Sequence, residues 1–321
     1  MNLHIARYRF HWRVTTPLLL PRYASSALRG VYGHALKRLA CLTRADNCKG
    51  CAVLANCAYP QLFESQQAPR PAAGIPALAT YAIETPFARA MQQPPRSSRY
   101  KPGDHYTFDM VLMTPPVINE LSLIMAAWRQ AFAHGVGPMD GKAELLRVEH
   151  LAPEEPANSI FTKTNPTLQR HNVELPAPEF SQTEDVQLQL QTPLRIAQQG
   201  KLIKERDMTT SLFLRHLIRR VSFQACAQQA DAFSLDEIHQ LNALADQVSE
   251  GARQLNWCDW ERNSSRQKQK MKLGGLIGHW QLLRVPPPLL PFIYLGQWVH
   301  VGKECAFGLG QYLWQSSPRH C

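Results

Sequence analysis

The apolar positions set out an alternating order of strands and helices. Residues 2–14, NLHIARYRFHWRV, mix β-branched and aromatic residues as a first strand does. A polar turn leads to SSALRGVYGHALKRLAC, where Leu28, Val31, Tyr32, Ala35 and Leu39 fall on one face at helical spacing. Strands are predicted at 78–85 and 105–113, then an amphipathic helix, INELSLIMAAWRQAFAHG, closed by Gly135 as its C-cap. AELLRVEHL reads as a fourth strand. Strand, helix, two strands, helix, strand is the ferredoxin-like plan.

The plan then repeats. EDVQLQLQTPLRI is strand-like, and its Thr192-Pro193-Leu194 echoes Thr16-Pro17-Leu18. TTSLFLRHLIRRVSFQACA is the matching helix, and SLDEIHQLNALADQV is an added helix that opens on a capping box, Ser234 to Glu237. WCDWERNSSRQKQKMKLGG and LIGHWQLLR make a hairpin, LLPFIYLGQWVHVG a short helix and GQYLW a last strand. A glycine-rich turn precedes the final strand of each half. The predicted architecture is α+β, two tandem ferredoxin-like (RRM-like) domains. Domain one spans 1–150 with a cysteine-bearing insertion at 41–77; residues 151–183 are a polar, Pro-rich linker; domain two spans 184–321 with a glycine-rich loop at 302–310.

Charge narrows the partner. Of 321 residues, 35 are Lys or Arg and 25 Asp or Glu, a formal net +10 that favours a polyanion. The start carries scattered charges and no apolar run, and the greasiest stretches are far too short to span a bilayer. A cytoplasmic protein without a membrane partner is expected, and its eight cysteines then point to metal or burial rather than disulfides.

Three features could carry chemistry. Arg266, Lys268, Lys270 and Lys272 occupy every second position of RQKQKMK, just after Arg262. On a strand they form a cationic row, which suits consecutive phosphates; the rival reading is a solvated edge strand. His34, Lys37 and Arg38 share the helix face opposite the apolar stripe. An imidazole there could take a proton from a ribose 2′-hydroxyl or give one to a departing 5′-oxygen, with Lys37 or Arg38 stabilising charge on phosphorus. Such cleavage needs no catalytic cofactor; the plain alternative is a surface histidine. Cys41, Cys48, Cys51 and Cys57 could close a structural Cys₄ zinc site, or hold an iron–sulfur cluster, or be free thiols. HVGKECAFGLGQY is not a P-loop, since Gln297 and Glu304 stand where the required Gly and Ser or Thr would be.

HVGKECAFGLGQY resembles the C-terminal glycine-rich motif of the CRISPR precursor-RNA-processing endoribonucleases of the RAMP superfamily. TPLRI, SSRQKQKMKLGGLIG and LRGVYGHALKRL resemble further landmarks in the same order, and the cysteine insertion followed by YPQLFE resembles a subgroup. The resemblance implies two tandem ferredoxin-like domains that bind CRISPR repeat RNA. It implies metal-independent cleavage by the 2′-hydroxyl, leaving a 2′,3′-cyclic phosphate and a 5′-hydroxyl, to make guide RNAs. It places a catalytic histidine near the first helix, where His34 stands, and sets Gly302, Lys303, Gly308 and Gly310 against RNA. The alternative within the same fold is a non-catalytic RNA-binding subunit working beside other CRISPR effector subunits.

Overall fold

The computed structural model describes residues 1–45, 47–64, 79–86, 97–228, 233–264 and 269–316, with backbone alone for 97, 261–264, 269–271 and 316. The chain divides into two compact units: His4–Leu175, and Met1–Leu3 together with Pro176–Cys321.

The N-terminal unit runs β1 (Ala6–Val14), α1 (Ser25–Ala40), β2 (Tyr81–Glu84), β3 (His105–Leu112), α2 (Leu121–His134), β4 (Ala143–Leu151) and β5 (Asn158–Thr162). Its antiparallel sheet has the order β2-β3-β1-β4-β5, the ferredoxin-like arrangement with one added edge strand. Because side chains alternate across a strand, Tyr8, Phe10, Trp12 and Val14 of β1 all go to the core. There Trp12 stacks on Phe132 of α2 at 4.1 Å and Phe10 on Phe108 at 5.3 Å, while Tyr32 of α1 stacks on Trp128 at 4.7 Å. Each such ring withdrawn from water contributes about 1.5–3 kcal/mol.

The opposite residues of β1 are three arginines and His11, and each is answered by a neighbouring carboxylate. Arg7 pairs with Glu84 at 2.9 Å, Arg9 with Asp109 at 2.8 Å, His11 with Glu149 at 2.7 Å and Arg13 with Glu144 at 2.9 Å. The cations of RYRFHWR are therefore committed within the sheet.

Two sequence expectations need correction. The buried face of α1 is Leu28, Tyr32, Ala35 and Leu36, whereas Leu39 in the last turn is 43 % exposed, so the core-facing stripe ends a turn early. The stretch 151–183 is not all linker: Ile160 and Phe161 bury themselves as the edge strand β5, an apolar pair hidden among polar and Pro residues.

The YPQLFE segment has a packing role. The short helix Ala58–Leu62 brings Phe63 flat onto α1, where an added Cβ at Gly33 would lie 2.1 Å from the Phe63 ring. Arg29 covers the same ring at 4.2 Å. Gly33→Ala should destabilise the protein by about 1–3 kcal/mol through overpacking. A denaturant midpoint unchanged from wild type would show that Phe63 simply moves aside.

The C-terminal unit repeats the plan with β6 (Glu184–Leu194), α3 (Thr210–Ala227), an added α4 (Leu235–Ala245), β7 (Ser249–Cys258), β8 (Glu261–Ser264), β9 (Gln269–Lys272), β10 (Gly275–Val285), α5 (Leu290–Val299) and β11 (Tyr312–Ser316). The sheet order β7-β10-β6-β11 is again ferredoxin-like. Helix α4 carries the expected capping box, with the Ser234 hydroxyl accepting from the Glu237 N–H and the Glu237 carboxylate accepting from the Ser234 N–H. Phe213, Trp280 and Tyr312 form the aromatic centre of this core, and the Tyr312 hydroxyl donates to the Ile293 carbonyl at 2.6 Å. Among the described residues, no helix is long and apolar enough to cross a membrane.

Candidate functional site

The Thr-Pro-Leu segment and the glycine-rich turn of each half meet in a shared latch. In the N-terminal unit the Thr16 hydroxyl accepts from the Lys142 N–H at 2.8 Å, and the Val136 N–H donates to Gly141 at 2.8 Å. In the C-terminal unit the Thr192 hydroxyl accepts from Gln311 at 2.9 Å, and Val301 donates to Gly310 at 3.1 Å. Four residues separate Val136 from Gly141, whereas eight separate Val301 from Gly310. The second latch is thus the first with a longer loop.

The glycines of that loop serve the chain's own backbone. Gly310 has φ +74°, and a Cβ there would sit 1.9 Å from the Val301 carbonyl oxygen; at Gly302, φ +93°, it would sit 2.4 Å from that of Arg195. The Gly310 N–H donates to Pro193, and the Gly308 carbonyl accepts from the Thr192 hydroxyl at 2.7 Å. Gly308 and Gly310 are buried with these backbone groups engaged, so the packing reading of the motif holds for both. Lys303 differs. Its N–H donates to Arg195 at 2.8 Å while its side chain is exposed, on residues the shorter latch lacks.

The cationic ribbon is a two-stranded extension of β7 and β10. Strands β8 and β9 pair Glu261 with Lys272, Arg262 with Met271 and Asn263 with Lys270. Lys272 is exposed. Arg266 and Lys268 lie outside the described residues, so the alternation is present in the backbone over Lys270 and Lys272. Of the arginines of α3, Arg215 is tied to Asp246 at 2.5 Å and Arg220 caps the Val299 carbonyl at 2.9 Å, while Arg219 is exposed, 5.3 Å from the Phe223 ring centre. A ribbon that lies along phosphates predicts that Lys272→Ala weakens RNA binding across sequences and lowers the slope of log affinity against log salt by about 0.7–0.9. An unchanged slope would remove Lys272 from the phosphate path.

On α1 the core claims Tyr32, Gly33, Ala35 and Leu36, which turns His34 outward. His34 is exposed and makes no hydrogen bond or ion pair to another described residue, so both ring nitrogens are open to a ligand. Arg38, one turn on, is exposed; Lys37 is half-buried, its ammonium 6.0 Å from the Tyr59 ring centre. The structure therefore brings His34, Lys37 and Arg38 to one helix surface, as the spacing predicts.

The predicted zinc site finds no support among the described residues. Cys41, Cys48, Cys51 and Cys57 line one small cavity beyond α1. The Thr43 hydroxyl stands between two of them, 3.8 Å from Cys41 Sγ and 3.7 Å from Cys51 Sγ, and burial raises the pKa of the Cys48 thiol. Among the described residues, no group of three or more His, Cys, Asp or Glu side chains is arranged to hold a metal ion. The burial reading fits Cys48 better.

The chain is thus of the tandem ferredoxin-like class, with an exposed histidine on the first helix of one unit and a hairpin of alternating lysines in the other. Residues 188–312 match the family model of the CRISPR-associated endoribonuclease Cas6, and residues 3–173 match a family model described as an N-terminal domain. The Cas6 match thus covers the C-terminal part of the chain, from strand β6 to strand β11. Among solved structures it is similar to a Thermus thermophilus Cas6 product complex (TM-score 0.56, 14 % identity, 97 % of this chain and 99 % of that one). It is also similar to another Cas6 product complex (0.53, 14 %, 98 % and 100 %) and to a chain of a partial Cas6-RT-Cas1–Cas2 complex (0.54, 16 %, 99 % and 47 %). No curated protein matches it.

Proposed function

We propose that the protein binds CRISPR repeat RNA and cleaves it without a metal. The observation that carries this reading is His34, exposed on α1 and without a hydrogen bond to another described residue, with Lys37 and Arg38 on the same surface, in a chain whose residues 188–312 match the Cas6 model. His34 takes the proton of a ribose 2′-hydroxyl. That oxygen bonds to the adjacent phosphorus as the bond to the 5′-oxygen breaks, and the departing oxygen takes up a proton. One product ends in a 2′,3′-cyclic phosphate and the other in a 5′-hydroxyl. Lys37 and Arg38 oppose the charge that gathers on the phosphoryl oxygens.

Lys270, Lys272 and Lys303, with Arg262, Arg266 and Lys268, hold the phosphates, and Gly302 lets the loop carrying Lys303 turn. The reaction takes place in the cytoplasm, beside other Cas proteins; the likeness to a chain of the Cas6-RT-Cas1–Cas2 assembly supports that company. The test is incubation with the repeat RNA of its own array in EDTA. Specific cleavage is expected, whereas intact RNA under saturating binding would replace this reading with that of a non-catalytic subunit.

A further inference from the structure

The sheet of the C-terminal unit has one face against its aromatic core and one face open, and the open face carries a cluster of amides beside His279, Ile277 and Leu313, with Asp185 at one end accepting from the Arg284 N–H. Gln187 pairs in register with Gln281 and Gln315, Gln189 with His279 and Leu313, Gln254 with His279, and Asn256 with Ile277. Gln187, Gln254, Asn256, His279 and Gln315 are exposed. The only side-chain hydrogen bonds among these positions run from Gln315 Nε2 to Gln189 Oε1 at 3.2 Å and from the Ala252 N–H to Gln281 Oε1 at 3.2 Å. Gln187, Gln254, Asn256 and His279 make none to another described residue. No Asp, Glu, Lys or Arg stands in these rows, in a chain of net charge +10. The corresponding strand of the N-terminal unit, by contrast, carries arginines held in ion pairs.

We infer that this face holds the bases of an unpaired RNA segment, an inference that rests on the RNA-binding reading above. Rows without cations offer phosphates no charge partner. An amide offers a donor and an acceptor together, the combination that matches a base edge, above all N6 and N7 of adenine. Unpaired RNA presents those edges, whereas a stem hides them in its pairing and its deep groove. The charge pattern fits one strand laid with bases on the sheet and phosphates toward the cations. The hairpin that ends in exposed Lys272 grows from β7 and β10, the same strands that carry Gln254, His279 and Gln281. In the sequence, QLQLQ announced a strand, and its glutamines gave no sign of chemistry until the register set them beside Gln254, His279, Gln281 and Gln315.

The double variant Gln187→Thr/Gln254→Thr removes two exposed amides and keeps good strand formers, so the sheet should persist. Binding by the full chain would be measured with a ten-nucleotide oligoadenylate RNA and an abasic ribose-phosphate strand of equal length, across a salt series. Wild type should bind oligoadenylate about tenfold more tightly than the abasic strand, the scale of one good base contact. The variant should lose most of that difference with its salt slope unaltered. Equal binding of the two probes by wild type, or full discrimination retained by the variant, would overturn the inference. So would a reduced salt slope in the variant, which would mark phosphate contacts. Loss of self-association or of binding to another Cas subunit, with base discrimination intact, would assign the face to a protein and also overturn it. Repeat-RNA cleavage assayed on the same preparations keeps the outcomes apart: cleavage without base discrimination sinks this inference alone.

Discussion

Replacing His34 by Ala should lower the single-turnover cleavage rate about 10²–10⁴-fold, the range that a positioned acid or base supplies. The substitution removes an exposed side chain from a helix interior and installs the best helix former, so folding should not suffer. Affinity for the repeat RNA should change little, because the cations proposed to hold phosphates lie mostly in the other unit. The signature is therefore a loss in rate at saturating protein with the binding curve in place. Lys37→Ala or Arg38→Ala should cost less, since the role proposed for each is charge stabilisation and not the proton transfer. Wild-type cleavage by the His34 variant would move the chemistry elsewhere, and the exposed His105 and His279 would then be the next residues to replace.

The second large effect concerns the latch. Gly310→Ala places a methyl group 1.9 Å from the Val301 carbonyl oxygen, a backbone atom that cannot rotate away. It also forces Ala to hold φ +74°, which costs about 1–2 kcal/mol, and strains the hydrogen bonds to Val301 and Pro193, worth about 1 kcal/mol each. A total near 3 kcal/mol should lower the melting temperature by roughly 6–12 °C for a unit of this size. Gly200 is the control: its φ is +80° with nothing within 4 Å of an added Cβ, so Gly200→Ala should show the conformational cost alone. If the two variants melted alike, close packing of the latch would not be the reason for the glycine. Because Lys303 rides on the same loop, Gly310→Ala should also weaken RNA binding.

Much of the fold was legible because period and punctuation agreed. The strand predicted at AELLRVEHL, the Gly135 cap and the Ser234–Glu237 capping box all fall where the structure has them. So do the echoed Thr-Pro-Leu segments, which turn out to be equivalent halves of two latches. Strand β5 was missed since two apolar residues among prolines give too weak a period to notice. The zinc expectation finds no support for a different reason: sequence spacing brings four cysteines to one cavity but does not fix the distances among their sulfurs. The grouping of His34, Lys37 and Arg38 on one surface was legible because a single helix carries all three. The amide face was not, because its members come from four strands and meet only through register.

The most direct measurement is mass analysis of the ends left when repeat RNA is cut in excess EDTA. The account predicts a 2′,3′-cyclic phosphate on the upstream fragment and a hydroxyl on the 5′ end of the downstream one, and no cleavage where the scissile nucleotide lacks its 2′-hydroxyl. A 3′-hydroxyl with a 5′-phosphate, or cleavage that stops with EDTA and returns with a divalent ion, would contradict it.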